Sequence, residues 1–431
     1  MVRRREVIRI ADMLDVDART FNVKDVLVQM KDISGSMVDL AYSAVLYSNP
    51  EIATEVYKLE ERMHSLLYKM RIAIMLGARN MDDAVEFAGI LQIASAAEKI
   101  ASAAGDIAKI AESVDITQYL DRSDFEEAVI NVRIKPASEL TNKTLEGLRL
   151  ETETGMSVLA IKRGSKWIYL PPGSERLKEG DLIIISGPTE GIPAFCRLAT
   201  GEEYREREKR EGEEGAEGEE AKEGEPKPRK RITEEIADFM ADMKNLSELT
   251  VGLAYSAVMF ESKEIAAEVK DLEDTMDRMK DELEILVMKA ARGVTSKTNF
   301  DELRGILHVA ISSETISDAA YEIADVVLRD IKLHPVFSAS VRESDEVILK
   351  MEVRNSAIFG NTLRDLKIET RTGMFILAIR RADGKWVYNP GGDAVLKEGD
   401  LLIMRGPREG EDKVREIFLG SEQEHEQEQW L

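Results

Sequence analysis

Apolar residues recur at spacings of three and four between Val23 and Ser113, which is the period of amphipathic helices. Asn49-Pro50 and Asn80 predict two helix starts inside this stretch, because asparagine caps a helix N-terminus and proline fits its first turn. The same period returns from Ile232 to Arg329. Since short connections favour antiparallel neighbours, each stretch is predicted to form a bundle of three helices.

The pattern changes after each helical stretch. Apolar and polar residues alternate at Ile130–Ile134 and at Leu349–Val353, which predicts half-buried strands. A short helix is expected at Leu145–Leu148 and another at Leu363–Leu366. Each bundle is therefore followed by a small α+β domain. The further strands predicted in the first of these domains are 158–162, 167–170 and 182–185.

Two motifs occur twice in the same order. Leu40–Val45 recurs unchanged as Leu253–Val258, and Lys178–Leu182 recurs unchanged as Lys397–Leu401. An offset that drifts by only a few residues indicates one duplicated module. The expected organisation is an N-terminal extension at 1–21, a bundle at 22–115, an α+β domain at 122–200, a linker at 201–231, a bundle at 232–332, an α+β domain at 340–420 and a tail at 421–431.

Composition adds three restrictions. The linker is almost free of apolar side chains, which predicts disorder, and the tail is expected to fray. The net charge of −23 argues against nucleic acid as a partner and against adhesion to anionic membranes. Cys196 is the only cysteine, and no apolar run is long enough to span a bilayer, so we expect a cytoplasmic protein with Cys196 as a buried apolar residue.

The α+β domains carry a recognisable motif pair. Thr154–Arg163 together with Lys178–Leu182 resembles the C-terminal regulatory domain of potassium-conductance regulators, the TrkA-C or RCK-C family, and 366–406 repeats the pattern. The resemblance implies a regulatory, non-catalytic subunit that docks on a potassium, or other monoatomic cation, channel or transporter. No Gly-x-Gly-x-x-Gly follows a strand, which argues against nucleotide sensing through a Rossmann domain.

The helical stretches carry a second resemblance. Glu98–Ala108 and Glu314–Ala324 are similar to the PhoU family of three-helix bundles, which is associated with the regulation of phosphate transport. The expected fold class is thus α+β multidomain, with two copies of a PhoU-like bundle followed by a TrkA-C domain. A metal-binding or phosphate-homeostasis scaffold is the alternative function, and a pure oligomerisation module is a third.

The TrkA-C resemblance implies a ligand site. These domains pair about a two-fold axis, within one chain or in a homodimer, and in some members the pair binds cyclic di-AMP, whose symmetry suits an isologous interface. The alternative is that the strands at 158–162 and 376–379 pack a core and that the Lys and Arg side chains next to them are solvated edge charges. The resemblance implies an apolar lining of Val158, Leu159, Ala160, Ile161 and Pro171, with Ile376, Leu377, Ala378, Ile379 and Pro390 opposite. Arg163 and Arg381, together with Lys162 and Arg380, would meet the phosphates, because guanidinium groups bind phosphate well.

The PhoU resemblance implies a metal site. Some members bind metal through Glu/Asp-x-x-x-Asp pairs, whose spacing puts both carboxylates on one helix face. The second copy keeps this form in Glu273 with Asp277 and in Glu314 with Asp318, whereas the first copy departs from it. Oxygen ligands suit a hard cation or iron. The alternative is a solvated acidic face.

Overall fold

The computed structural model describes residues 23–46, 48–116, 127–136, 138–164, 166–169, 171–201, 228–292, 296–335, 337 and 346–420. The N-terminal extension, most of the predicted linker and the tail lie outside these residues. The described residues group into two compact units. One unit, which contains the described residues within 23–116, 242–284 and 296–337, is helical, and the other contains both sheets.

Six long helices follow the predicted pattern. In the first copy, Asn49 caps the second helix by accepting from the backbone N–H of Glu51 at 3.0 Å, and Asn80 caps the third by accepting from Asp83 at 2.9 Å. Both predicted starts are confirmed. The helix that begins the second copy starts at Pro228, within the segment predicted as linker. The helices are α1 Val23–Leu46, α2 Pro50–Gly77, α3 Met81–Ser113, α7 Pro228–Met259, α8 Lys263–Ala291 and α9 Lys297–Leu328.

The core of the helical unit joins the two copies. Helix α3 packs against α9, and the many buried alanines of α3 allow a close approach of the two backbones. Two tyrosines at equivalent positions each make a hydrogen bond to the other copy. The Tyr42 hydroxyl lies 2.5 Å from Ser313 Oγ, and the Tyr255 hydroxyl lies 3.2 Å from Ser34 Oγ. These buried hydrogen bonds satisfy hydroxyls that would otherwise be costly to bury.

The other unit contains two four-stranded antiparallel sheets with the same topology. The strand orders are β1-β4-β2-β3 and β5-β8-β6-β7. A register shift interrupts β2 at Leu159 and β6 at Leu377, so both copies have a bulge at the same place. The strands are β1 Glu127–Arg133, β2 Ser157–Arg163, β3 Lys166–Tyr169, β4 Leu182–Pro188, β5 Glu346–Glu352, β6 Phe375–Arg380, β7 Trp386–Tyr388 and β8 Leu401–Pro407.

Three helices accompany each sheet, and only the first of each set was predicted. The last helix of the first domain buries Phe195 and Cys196 against the sheet, and this burial raises the pKa of the Cys196 thiol. Cys196 is therefore the buried apolar residue that the sequence predicts. The helices are α4 Leu145–Leu148, α5 Leu150–Thr154, α6 Ile192–Thr200, α10 Leu363–Leu366, α11 Ile368–Thr372 and α12 Glu411–Leu419.

Candidate functional site

The two sheet domains contact each other through α5 and α11. The glycines that end these helices, Gly155 and Gly373, adopt left-handed conformations with φ of 73° and 70°. A Cβ atom on Gly155 would lie 3.0 Å from the carbonyl oxygen of Glu369, and one on Gly373 would lie 2.9 Å from that of Glu151. Each copy thus offers the same backbone to the other, which is the pattern of an isologous interface.

One contact of this interface has no counterpart. Lys413, the third residue of α12, donates to the carbonyl oxygen of Thr152 at 2.6 Å and to Glu153 Oε1 at 2.9 Å. The third residue of α6 is Ala194, which has no side chain able to repeat this bridge. The two halves of the interface are therefore similar but not identical.

Most of the predicted apolar lining is buried. Leu159 is 6% exposed, and Ala160, Ile161, Leu377, Ala378 and Ile379 are fully buried. The bulges explain why three successive residues are buried, because an extra residue breaks the strict alternation of faces. Ile376 is also buried, whereas Val158, Pro171 and Pro390 are half-buried. Ile161 belongs to the hydrophobic core of the first domain, and Val158 packs against that core.

The predicted phosphate-binding arginines are held by carboxylates of their own domains. Arg163 Nε and Nη2 donate to the two oxygens of Asp181 at 2.9 and 2.8 Å, and Nη1 donates to Glu175 at 2.9 Å. The hydrogen bond to Asp181 raises the pKa of Arg163. In the second copy Arg381 donates through Nη1 to Asp400 Oδ2 and to the carbonyl oxygen of Val395. These ion pairs give both arginines a structural role, which the sequence reading missed.

The neighbouring cations of the two strands are placed differently. Arg380 is exposed, and its guanidinium lies 5.9 Å from the centre of the Trp386 ring, while Lys162 is half-buried. The Trp386 and Tyr388 rings stack at 5.6 Å between centres. Arg380 is thus in cation–π contact with one ring of a half-buried aromatic pair.

The predicted metal residues come together in the helical unit. Single carboxylate oxygens of Asp277, Glu314 and Asp318 all lie within 4.8 Å of one another. The cluster also contains a cation, because Lys280 Nζ lies 3.2 Å from Glu314 Oε1 and 3.8 Å from Asp277 Oδ1. The fourth predicted residue, Glu273, hydrogen-bonds to Asp318.

Charge crowding perturbs this cluster. Burial, followed by the charges of Asp318 and Asp277, raises the pKa of Glu273 to about 7. Burial and Glu314 also raise the pKa of Asp318. A proton on Glu273 makes it the donor to Asp318, and this proton together with the Lys280 ammonium group reduces the charge of the four carboxylates from about −4 to about −2.

The equivalent place in the first copy has two carboxylates, Glu60 and Glu98, instead of four. His64 and Ser102 stand where the second copy has Asp277 and Asp318. His64 Nε2 lies 2.8 Å from Glu98 Oε1. The first copy therefore has a contact between a histidine and a carboxylate where the second copy has a cluster of carboxylates.

Two known domain families match this chain, and each matches it twice. The TrkA-C domain matches residues 129–200 and 348–419, and the PhoU domain matches 27–111 and 240–327. The chain is therefore a tandem PhoU and TrkA-C domain protein, as both resemblances predicted.

Curated relatives match short regions of the chain. "Potassium channel protein 1" of Methanocaldococcus jannaschii is 33% identical over 100 residues, which are 23% of this chain and 30% of that protein. "Ktr system potassium uptake protein C" of Bacillus subtilis is 32% identical over 91 residues, 21% of this chain and 41% of that protein. "K(+)/H(+) antiporter subunit KhtT" of Bacillus subtilis is 30% identical over 80 residues, 18% of this chain and 48% of that protein. The chain spans less than half the length of each.

Among solved structures, PhoU from Pseudomonas aeruginosa aligns over 72% of this chain and 96% of its own, at 14% identity and a TM-score of 0.36. The GsuK RCK domain aligns over 73% and 72% of the two chains, at 14% identity and a TM-score of 0.17. Both TM-scores are below 0.5. Within the described residues no helix is long and apolar enough to cross a bilayer.

Proposed function

We propose that this chain is a non-catalytic regulator of a potassium channel or transporter, and that its two TrkA-C domains work as a pair that senses a small ligand. The observation that supports this most directly is the reciprocal packing of α5 and α11, in which each copy presents its glycine to the backbone of the other. The names of three relatives refer to potassium channels or potassium transport, which supports potassium as the transported ion.

Cyclic di-AMP is the ligand we propose, because a two-fold-symmetric molecule offers the same groups to both copies. Helix α5 ends at Thr154 and β2 begins at Ser157, so a ligand that shifts β2 acts directly on the contact between the domains. If the two domains exchange between two arrangements of this contact, a ligand alters the equilibrium only by binding one arrangement more tightly than the other. The coupling free energy between a ligand site and a second site is typically about 1–3 kcal/mol.

Two pairs of cations are candidates for binding the phosphates of the ligand. Arg163 and Arg381 would have to leave Asp181 and Asp400, which are each 1% exposed, and a buried carboxylate left without its partner is costly. Lys162 and Arg380 can bind without breaking those ion pairs. We therefore propose that the ligand either uses Lys162 and Arg380 or acts by opening the buried pairs.

Isothermal titration of the full chain with cyclic di-AMP separates these routes. We expect binding by the wild type, and its loss in either Lys162→Ala/Arg380→Ala or Arg163→Ala/Arg381→Ala identifies the cations used. Because removing Arg163 also leaves Asp181 unpaired, thermal unfolding of each variant must accompany the titration. Arg354→Ala is the matched control, since Arg354 is exposed and pairs with Glu352 away from β2 and β6. If the wild type does not bind cyclic di-AMP, this compound is not the ligand of the chain.

A second function, metal binding by the second PhoU domain, is supported by the convergence of Asp277, Glu314 and Asp318. Their oxygens fit a hard divalent cation or iron, but Lys280 already supplies one positive charge there. We therefore propose that a metal binds weakly unless it displaces the ammonium group. A protein of this kind would serve as a metal-dependent scaffold in phosphate homeostasis.

Metal analysis of the purified chain, followed by titration with Mn²⁺, tests the second function. Glu314→Ala should abolish binding, while Glu98→Ala, the corresponding change in the first copy, should leave it unchanged. Lys280→Met should strengthen binding, because it removes the competing charge. If no variant binds metal, the cluster is a solvated acidic face.

A further inference from the structure

Exposed apolar side chains are concentrated at the turn between α2 and α3. Met75, Leu76 and Met81 are each 78% exposed. We call residues 68–81 the first tip. Single exposed apolar residues are ordinary on protein surfaces, but three such side chains at one turn form a patch. The first tip also contains the cations Lys69, Arg71 and Arg79.

The second copy repeats this combination. Met288, which corresponds to Met75, is 63% exposed, and Ile285 is 53% exposed. We call residues 285–292 the second tip. Its cations, Lys289 and Arg292, are also exposed. The duplicated copies have diverged elsewhere, as at the acidic cluster, so the retention of this pattern in both is informative.

The charge of the tips is opposite to that of the chain. Acidic residues number 82 against 59 basic ones, whereas the first tip holds three cations and the second holds two, with no Asp or Glu inside either range. Asp82 and Asp83 follow the first tip directly and Glu284 precedes the second, so each tip taken with these neighbours carries a net charge of +1. At physiological salt the field of distant charges is screened within about 8–10 Å. The charge that a surface meets at a tip is therefore the local positive charge rather than the total of −23.

We propose that the tips dock on an anionic phospholipid surface. Apolar side chains next to Lys and Arg are the combination that binds at a bilayer interface, with the apolar groups among the headgroups and the cations near the phosphates. A transporter's cytoplasmic loops are a poorer partner, because these loops are themselves enriched in Lys and Arg. Such docking requires no membrane span and goes beyond the regulatory function, since it does not depend on ligand binding.

Sedimentation of the full chain with lipid vesicles tests the proposal. We expect the chain to bind vesicles that contain phosphatidylglycerol more strongly than vesicles of phosphatidylcholine alone, and added salt should weaken the binding. Arg71→Gln and Arg79→Gln should each reduce binding about fivefold, since each cation near the surface contributes roughly 1 kcal/mol. Met75→Ser/Leu76→Ser should reduce it about fivefold to tenfold through the loss of apolar contact.

Two changes outside the tips serve as controls. Ile311→Ser removes an apolar side chain that is 46% exposed on α9, and Arg329→Gln removes an exposed cation. Both should leave vesicle binding unchanged, and circular dichroism checks that every variant is folded. The proposal is overturned if the wild type binds no vesicles or if the controls lower binding as much as the tip variants. It also fails if the chain binds only membranes that contain a transporter, because the partner is then a protein.

Discussion

Replacing Gly155 by alanine should loosen the contact between the two TrkA-C domains. Gly155 has a φ of 73°, and a left-handed residue with a Cβ atom costs about 1–2 kcal/mol. The new Cβ would also lie 3.0 Å from Glu369 O and from Thr370 Cα, and 2.9 Å from Pro188 Cγ. Crowding of this kind typically costs a further ~1–3 kcal/mol. The total is therefore about 2–5 kcal/mol.

Gly164 provides the matched control. Its φ is 63°, but a Cβ atom placed on it would meet nothing within 4 Å. Gly164→Ala should therefore show the backbone cost alone, about 1–2 kcal/mol. Urea unfolding of both variants gives the difference between them.

Hydrogen exchange separates the contact across the interface from the contact with Pro188. In Gly155→Ala the amides of 368–372 on the opposite domain should exchange faster than in the wild type, and in Gly164→Ala they should not. Gly373→Ala should produce the reciprocal effect on 150–154, because its Cβ would lie 2.9 Å from Glu151 O. Equal unfolding midpoints for Gly155→Ala and Gly164→Ala, with unchanged exchange at 368–372, would refute the reasoning.

Three further predictions follow from buried or crowded polar groups. Asp181→Asn should lower the free energy of unfolding by about 2–3 kcal/mol in urea titrations, because it removes the charge that holds Arg163, and an unchanged midpoint contradicts this. Tyr42→Phe should cost about 1 kcal/mol through the lost hydrogen bond to Ser313, and no loss means that the bond is not stabilising. The raised pKa of Glu273 means that the folded state holds this proton more tightly than the unfolded state, so its stabilisation is complete below pH 4.5 and is lost as the pH rises to about 7. Glu273→Gln should flatten the dependence of the melting temperature on pH in this window, and identical profiles for variant and wild type contradict the assignment.

The helices and most strands were predictable because their signals are local. The caps Asn49 and Asn80 act within three residues, and the alternation at Ile130–Ile134 is a property of one strand. Helices α5 and α11 were missed, since five residues are too few to show a helical period. The domain contact therefore rests on elements without a sequence signal of their own.

The last helix of each α+β domain was missed for a different reason. Gly187-Pro188 marks the end of the sheet correctly, but Ile192, Phe195, Cys196 and Ala199 follow at helical spacing and are buried. That signal was present in the sequence.

The site residues show the limit of motif reasoning. The strand pattern identified Arg163 and Arg381 but not their carboxylate partners, which are 18 and 19 residues further along the chain. The only sequence signal for these pairs is that both members recur in both copies. The bulges at Leu159 and Leu377 had no signal, because each lies inside a continuous apolar run whose register depends on the neighbouring strand.

The interface between α5 and α11 joins two domains of a single polypeptide. In a regulator assembled from separate subunits, pairing weakens as the protein is diluted, whereas a tethered partner has an effective concentration set by the chain that connects it. The contact between α5 and α11 should thus form equally well at low and at high concentrations of the protein. Gene duplication also allows the two halves to change independently, and Lys413, which has no equivalent in the first copy, is one such change.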